Sequence, residues 1–221
     1  KETQQLLARA LKEKETLLLE VHHRIKNNLQ VISSLLNLHT AELDDGQAKE
    51  KLGDAQMQMQ SIATVHEHLY RSETPAAVDS RKYIESLTEQ ILEIYQVDPS
   101  RIRIETDIPD ITIPIKQATP VALLVTELVA NSLKHAFGHK DGPGLIRVTM
   151  TRLETEEADL VRLVVADDGA GLPEGFDLSQ SRSLGHNLVL NLARQLNGTI
   201  ETAGDGGAQF VVTFPLDRSA T

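Results

Sequence analysis

Apolar residues recur seven apart at Leu11, Leu18, Ile25 and Ile32, with a flanking stripe at Leu29 and Leu36. This is the spacing of one face of an α-helix, and it predicts a long amphipathic helix over residues 1–39. The stretch "LDDGQ" at residues 43–47 interrupts the pattern as a turn. Ala48, Ala55, Ile62 and Leu69 then repeat the period, supported by Leu52, Met59 and Val65. Two helices on a short link form an antiparallel hairpin. Such a hairpin cannot bury a broad apolar face alone. The expected solution is a four-helix bundle made with a second copy, and packing of the same face on the rest of the chain is the alternative.

Around "RSETPAAVDS", residues 71–80, the helical period stops at Pro75 and small polar residues gather, as in a linker. The pattern then changes. A helix over 81–95 is followed by the strand-like runs "RIRIETDI" and "ITIPI" and a long helix over 116–137. Strands near 145–153 and 160–166, a helix over 184–196 and the strands "GTIET" and "AQFVVTFP" complete the chain. The order predicts a layer of helices on a mixed, largely antiparallel sheet. The fold class is α+β, with a helical part at 1–72, a linker at 73–80 and a helix-on-sheet part at 81–221.

Composition narrows the function. The chain has 221 residues, of which 40% are apolar, enough for a substantial core. A net charge of -10 disfavours nucleic acid or an anionic membrane surface as the main partner. There is no cysteine, hence no disulfide and no thiolate metal site, in keeping with a reducing compartment. No apolar run approaches the roughly 18 residues a membrane span needs. The sequence opens on Lys1 without a signal-peptide pattern. The expectation is a cytoplasmic fragment of a longer protein, with a sensor segment upstream.

Candidate chemistry sits in both halves. "EVHHRIKNNLQ", residues 20–30, concentrates polar groups within the first helix. His22 shares its phase with Leu29 and Leu36 on the apolar side, whereas His23 shares its phase with Gln30 and Asn37 on the solvated side. A reactive imidazole must be reachable, which favours His23. Glu20 and Asn27, three before and four after it, lie on its face, and Glu20 is placed to hold the second ring nitrogen.

In the second half, "TELVANSLKHAF" sets Glu127, Asn131 and Lys134 on one helix face. An asparagine oxygen suits Mg2+, a glutamate can orient a nucleophile and a lysine can neutralise phosphate; a solvated helix face is the plainer reading. "LVRLVVADDGAGLP" ends an apolar strand in Asp167, with Gly169 and Gly171 following. There a carboxylate can accept from an exocyclic amine and the backbone can approach a ligand; an ordinary turn reads the same way. "SRSLGHNL" puts Ser183 and Gly185 at a helix start, where they either attract phosphate or only begin the helix. Gly204, Gly206 and Gly207 precede the last strand, as in a hairpin.

Their succession resembles the nucleotide-binding fold shared by histidine kinases, gyrase-type ATPases, Hsp90 and MutL. The resemblance covers residues 80–218 and implies a Bergerat-type α/β sandwich holding Mg-ATP, with residues 172–182 as a lid. It implies Asp167 on the adenine amine, Asn131 on Mg2+ and Glu127 as acid/base or nucleophile-orienting group. Gly169, Gly171 and Gly185 would shape the pocket, with Lys134 and His135 near the phosphates and Ser183 and Thr213 among the nucleotide contacts.

"HHRIKNNLQVISSLL" and "SIATVHEHLYRSE" extend the resemblance to sensor histidine kinases of the His-Arg-x-Lys-Asn subgroup, related to the HWE kinases. In that box the acceptor directly precedes arginine, as His23 does. "GHNLV" falls where relatives vary. The resemblance implies autophosphorylation of His23 from ATP, transfer to an aspartate of a response regulator, and a homodimer through residues 1–72. By analogy with classical histidine kinases, Asn27 assists dephosphorylation. The competing readings are an ATPase whose nucleotide state only drives conformational change, and a non-phosphorylating adaptor.

Overall fold

The structure, a computed structural model, describes residues 77–217 apart from 139–141, 156–158, 182 and 205, together with Ile32 and Leu52. The chain divides into two compact units, Lys1–Glu73 and Thr74–Thr221. Ile32 and Leu52 are helical. The expected hairpin, its bundle seam, and Glu20, His23 and Asn27 lie outside the described residues.

In the second unit β1 (Ala77–Asp79) runs directly into α1 (Ser80–Ile94). Asp79 caps α1, its carboxylate accepting from the amides of Arg81 and Lys82 at 3.1 and 3.3 Å. These are first-turn N–H groups with no partner inside the helix. After β2 (Ile102–Asp107), β3 (Thr112–Pro114) pairs antiparallel with β1, Val78 opposite Ile113. Residues 77–79, which local composition marks as linker, are therefore strand. Their partner lies beyond a helix and another strand, a long-range pairing that small polar neighbours do not betray.

Pro114 leads into α2 (Ile115–His135). β4 (Gly144–Glu154), β5 (Asp159–Asp167), α3 (Leu184–Gln195), β6 (Thr199–Ala203) and β7 (Gln209–Pro215) follow. The main sheet has the order β2-β4-β5-β7-β6. β2 and β4 are parallel and the other pairs antiparallel, so the sheet is mixed and largely antiparallel. β3 does not join it, contrary to the single sheet expected.

Side chains alternate along each strand. Val161, Leu163 and Val165 of β5, Ile146, Val148 and Met150 of β4, and Phe210, Val212 and Phe214 of β7 are buried on one face. Arg147 and Arg162 are exposed on the other. The three helices cover the apolar face. α2 is its centrepiece, with Val121, Leu124 and Val125 at 0% exposure. Burying each such side chain contributes about 1.5–3 kcal/mol, so the C-terminal half of α2 is fixed in place above the ends of β5 and β7.

Candidate functional site

Asp167 closes β5 and continues its buried face, in register with Ile146 of β4. Three donors hold its carboxylate. Oδ1 accepts from the amides of Gly169 at 3.0 Å and Ala208 at 3.1 Å, and Oδ2 accepts from the hydroxyl of Ser132 at 2.8 Å. These donors come from the turn after β5, the approach to β7, and α2. The carboxylate is thus fixed in orientation, with acceptor capacity left on Oδ2.

Two glycines make this possible. A Cβ on Gly169 would collide with the backbone of Ala136, against which the turn is laid, and Ala170 N donates to Ala136 O at 2.9 Å. Gly207 has φ +141°, and a Cβ there would overlap the carbonyl oxygen of Asp167. The glycine-rich stretch before β7 is therefore more than a hairpin turn. It is the surface on which the end of β5 rests.

Beside Asp167 lies a cavity of about 370 Å3. The last turns of α2 supply Asn131, Ser132, His135 and Ala136; β7 and its approach supply Phe210 and Ala208. The segment after β5 supplies Gly171, Leu172, Pro173 and Phe176, and α3 supplies His186. The wall is mostly apolar with a few polar groups converging on it, the usual make-up of a small-molecule site.

Asn131 Nδ2 is buried and has no hydrogen-bond partner among the described residues. An unsatisfied buried amide costs about 1–3 kcal/mol. The residue also lines the cavity, where an asparagine amide oxygen is a suitable ligand for a hard cation. Glu127, 6% exposed, lies one turn earlier on α2 and is not among the residues lining the cavity. Lys134 stands beside His135 at the end of the same helix.

The segment over residues 172–181 packs on α3. Asp177 caps the short 3-10 helix Leu178–Gln180, accepting from the Ser179 amide at 2.8 Å and its hydroxyl at 2.6 Å. The Ser179 hydroxyl, then its amide, then the Gln180 side chain hold the Asp177 carboxyl below the usual carboxylate range. The Phe176 ring meets the His186 ring edge-on at 5.4 Å, and Ser181 Oγ lies 2.5 Å from His186 Nδ1. Burial, and then the charge of His135, push the His186 pKa down.

Of the residues expected in the site, Asn131, His135, Asp167 and Gly171 are brought together at the cavity. Gly169 lies just behind it as a packing contact. Ser183 caps α3, accepting from the His186 amide at 3.1 Å, and Gly185 sits in the first turn beside His186. Thr213 lies outside the cavity, three residues beyond Phe210 and so on the opposite face of β7. Ser132, Phe176 and His186 were not among the expected residues. For Ser132 the available signal was its spacing of four from Ala136, a strip of small residues where a turn can approach α2. For His186 it was the polar ring in "GHNLV" at a helix start.

A helix layer on a mixed sheet, with a strand-end aspartate and a helix asparagine lining one cavity, is the architecture implied by the resemblance to nucleotide-binding ATPase domains. Residues 116–218 match the family described as histidine kinase-, DNA gyrase B-, and HSP90-like ATPase. Residues 20–95 match the family described as histidine kinase. The chain belongs to the histidine kinases. It is 33% identical over 218 residues to sensor histidine kinase PdtaS of Mycobacterium tuberculosis, covering 95% of this chain and 41% of that protein. It is 24% identical to blue-light-activated histidine kinase 2 of Erythrobacter litoralis, covering 92% of this chain and 58% of the relative. The chain thus spans well under two thirds of either. The solved histidine kinase domain of the Erythrobacter litoralis EL346 blue-light activated histidine kinase has the same fold. Its TM-score is 0.64 at 23% identity, with 93% of this chain and 96% of that one covered.

Proposed function

We propose that this chain is the catalytic core of a sensor histidine kinase that phosphorylates its own His23 from Mg-ATP and passes the phosphoryl group to an aspartate of a response regulator. The observation that carries the proposal is the Asp167 carboxylate, fixed by three donors at the cavity that Asn131 also lines. A carboxylate with a spare acceptor site takes the adenine amino group, and the apolar wall takes the ring. Asn131 is the residue to hold Mg2+, which when bound neutralises phosphate charge.

In the reaction the free nitrogen of a neutral His23 imidazole attacks the γ-phosphorus. The bond to the bridging oxygen breaks, and ADP leaves. Glu20 takes the hydrogen bond of the other ring nitrogen and offsets the charge that develops on the ring. Glu127 orients the nucleophile. Residues 1–72 form the dimer, and Asn27 assists dephosphorylation, the separate transfer of the phosphoryl group to water. The match of residues 20–95 to histidine kinases supports this reading over an ATPase that never phosphorylates itself.

Incubation with γ-labelled ATP should give a phosphoprotein that is acid-labile and alkali-stable. His23→Gln should abolish the label while His22→Gln only weakens it. A folded protein that binds ATP yet takes no label would overturn the kinase reading, and label surviving in His23→Gln would overturn the choice of acceptor.

A further inference from the structure

We propose that Ser132 is a specificity-determining residue, which makes the base-reading end of the cavity purely accepting. The inference rests on the assignment of this cavity to a purine nucleotide. Ser132 is 5% exposed, lines the cavity and donates to Asp167 Oδ2 at 2.8 Å. A serine hydroxyl carries one proton. With Asp167 Oδ1 occupied by the Gly169 and Ala208 amides, Oδ2 has no other donor among the described residues, so that proton is committed to it. What remains on both side chains is lone pairs.

A purine with an amino group at the reading position meets acceptors and is bound. One with a carbonyl there meets acceptors with an acceptor and is refused. The hydroxyl also occupies space that a water would otherwise fill. Water carries two protons, one for Oδ2 and one for an incoming carbonyl, so it would reconcile the wrong base with the site. Ser132 therefore acts through Asp167 and by exclusion of that water. It is a positioning residue, and its effect falls on selectivity between bases.

The test compares ATP with ITP, which differ in this group, by calorimetric titration in the presence of Mg2+. The full chain should prefer ATP. In Ser132→Ala the ratio of the two affinities should fall about tenfold, as expected for loss of a hydrogen bond to a charged group, with ITP binding gained as ATP binding weakens. Ser132→Cys, a poorer donor of similar size, should fall between the two, and it carries the test alone if the alanine variant does not fold. An unchanged ratio in a folded variant, or equal losses for both nucleotides, overturns the proposal while leaving the nucleotide site intact. Failure of the unmodified chain to bind or to discriminate overturns the assignment of the cavity itself.

Discussion

Ser181 Oγ and His186 Nδ1 lie 2.5 Å apart and share a hydrogen bond that ties the segment after β5 to the first turn of α3. Phe176 backs the same ring from its edge. This segment forms one cavity wall, so the neutral histidine is a fastening for that wall. Burial first, and the charge of His135 second, hold the His186 pKa below its ordinary 6.5. The folded state therefore prefers the neutral ring. The stability it contributes is complete above about pH 6.5 and is lost as pH falls through the lower folded value. Thermal unfolding followed from about pH 8 to about pH 5 should show the gap between the native chain and His186→Gln closing as the medium becomes acidic. Amide exchange in residues 172–181 should quicken in parallel. A gap that widens in acid would show that the ring is charged in the fold.

Gly207 lies against the Asp167 carbonyl at φ +141°. Both the space and the backbone conformation exclude a side chain. Gly207→Ala should destabilise the second unit by about 2–4 kcal/mol, read as a lower denaturation midpoint with unchanged m. Nucleotide binding should fall with it, because the Ala208 amide that holds Asp167 Oδ1 is the next residue. A variant of native stability would mean that the approach to β7 can move away without cost.

Much of this fold was legible because the periods of its elements are strong and local. α2 and the β5 strand are marked by long apolar runs, and Asp167 is flagged by the glycines after it. β1 was not, since a three-residue strand paired across α1 and β2 has no local signature. Ser132 was passed over because helix phase groups Asn131 with Glu127 and Lys134, whereas the approach of β5 to the adjacent face of α2 is a tertiary fact. Phe210 carried no signal of its own for a related reason. Only the sheet register fixes which side of β7 meets the cavity.

Asp167→Asn separates the structural from the reading role of that carboxylate. The amide oxygen can still accept from Gly169 and Ala208, so the fold should keep its melting temperature within a few degrees. Its NH2 group then stands where Oδ2 was and presents a donor to the amino group of the base. ATP affinity should fall by at least tenfold in calorimetry, an effect of about 1.4 kcal/mol or more. Equal affinity would place the base elsewhere in the cavity.

Asn131 offers the reverse separation. Its Nδ2 is buried without a partner among the described residues, so in the absence of ligand the amide is a cost to the fold. Asn131→Ala removes that unsatisfied group. It should leave stability unchanged or raise it by up to about 1 kcal/mol, measured by denaturant unfolding without nucleotide. Mg-ATP binding should disappear in the same protein, because the amide oxygen proposed to hold Mg2+ is gone. Stability and function then move in opposite directions, as they do where a site is kept polar for a partner that arrives later. A loss of stability comparable to that of an ordinary core truncation, about 2–5 kcal/mol, would mark Asn131 as part of the core and remove it from the site.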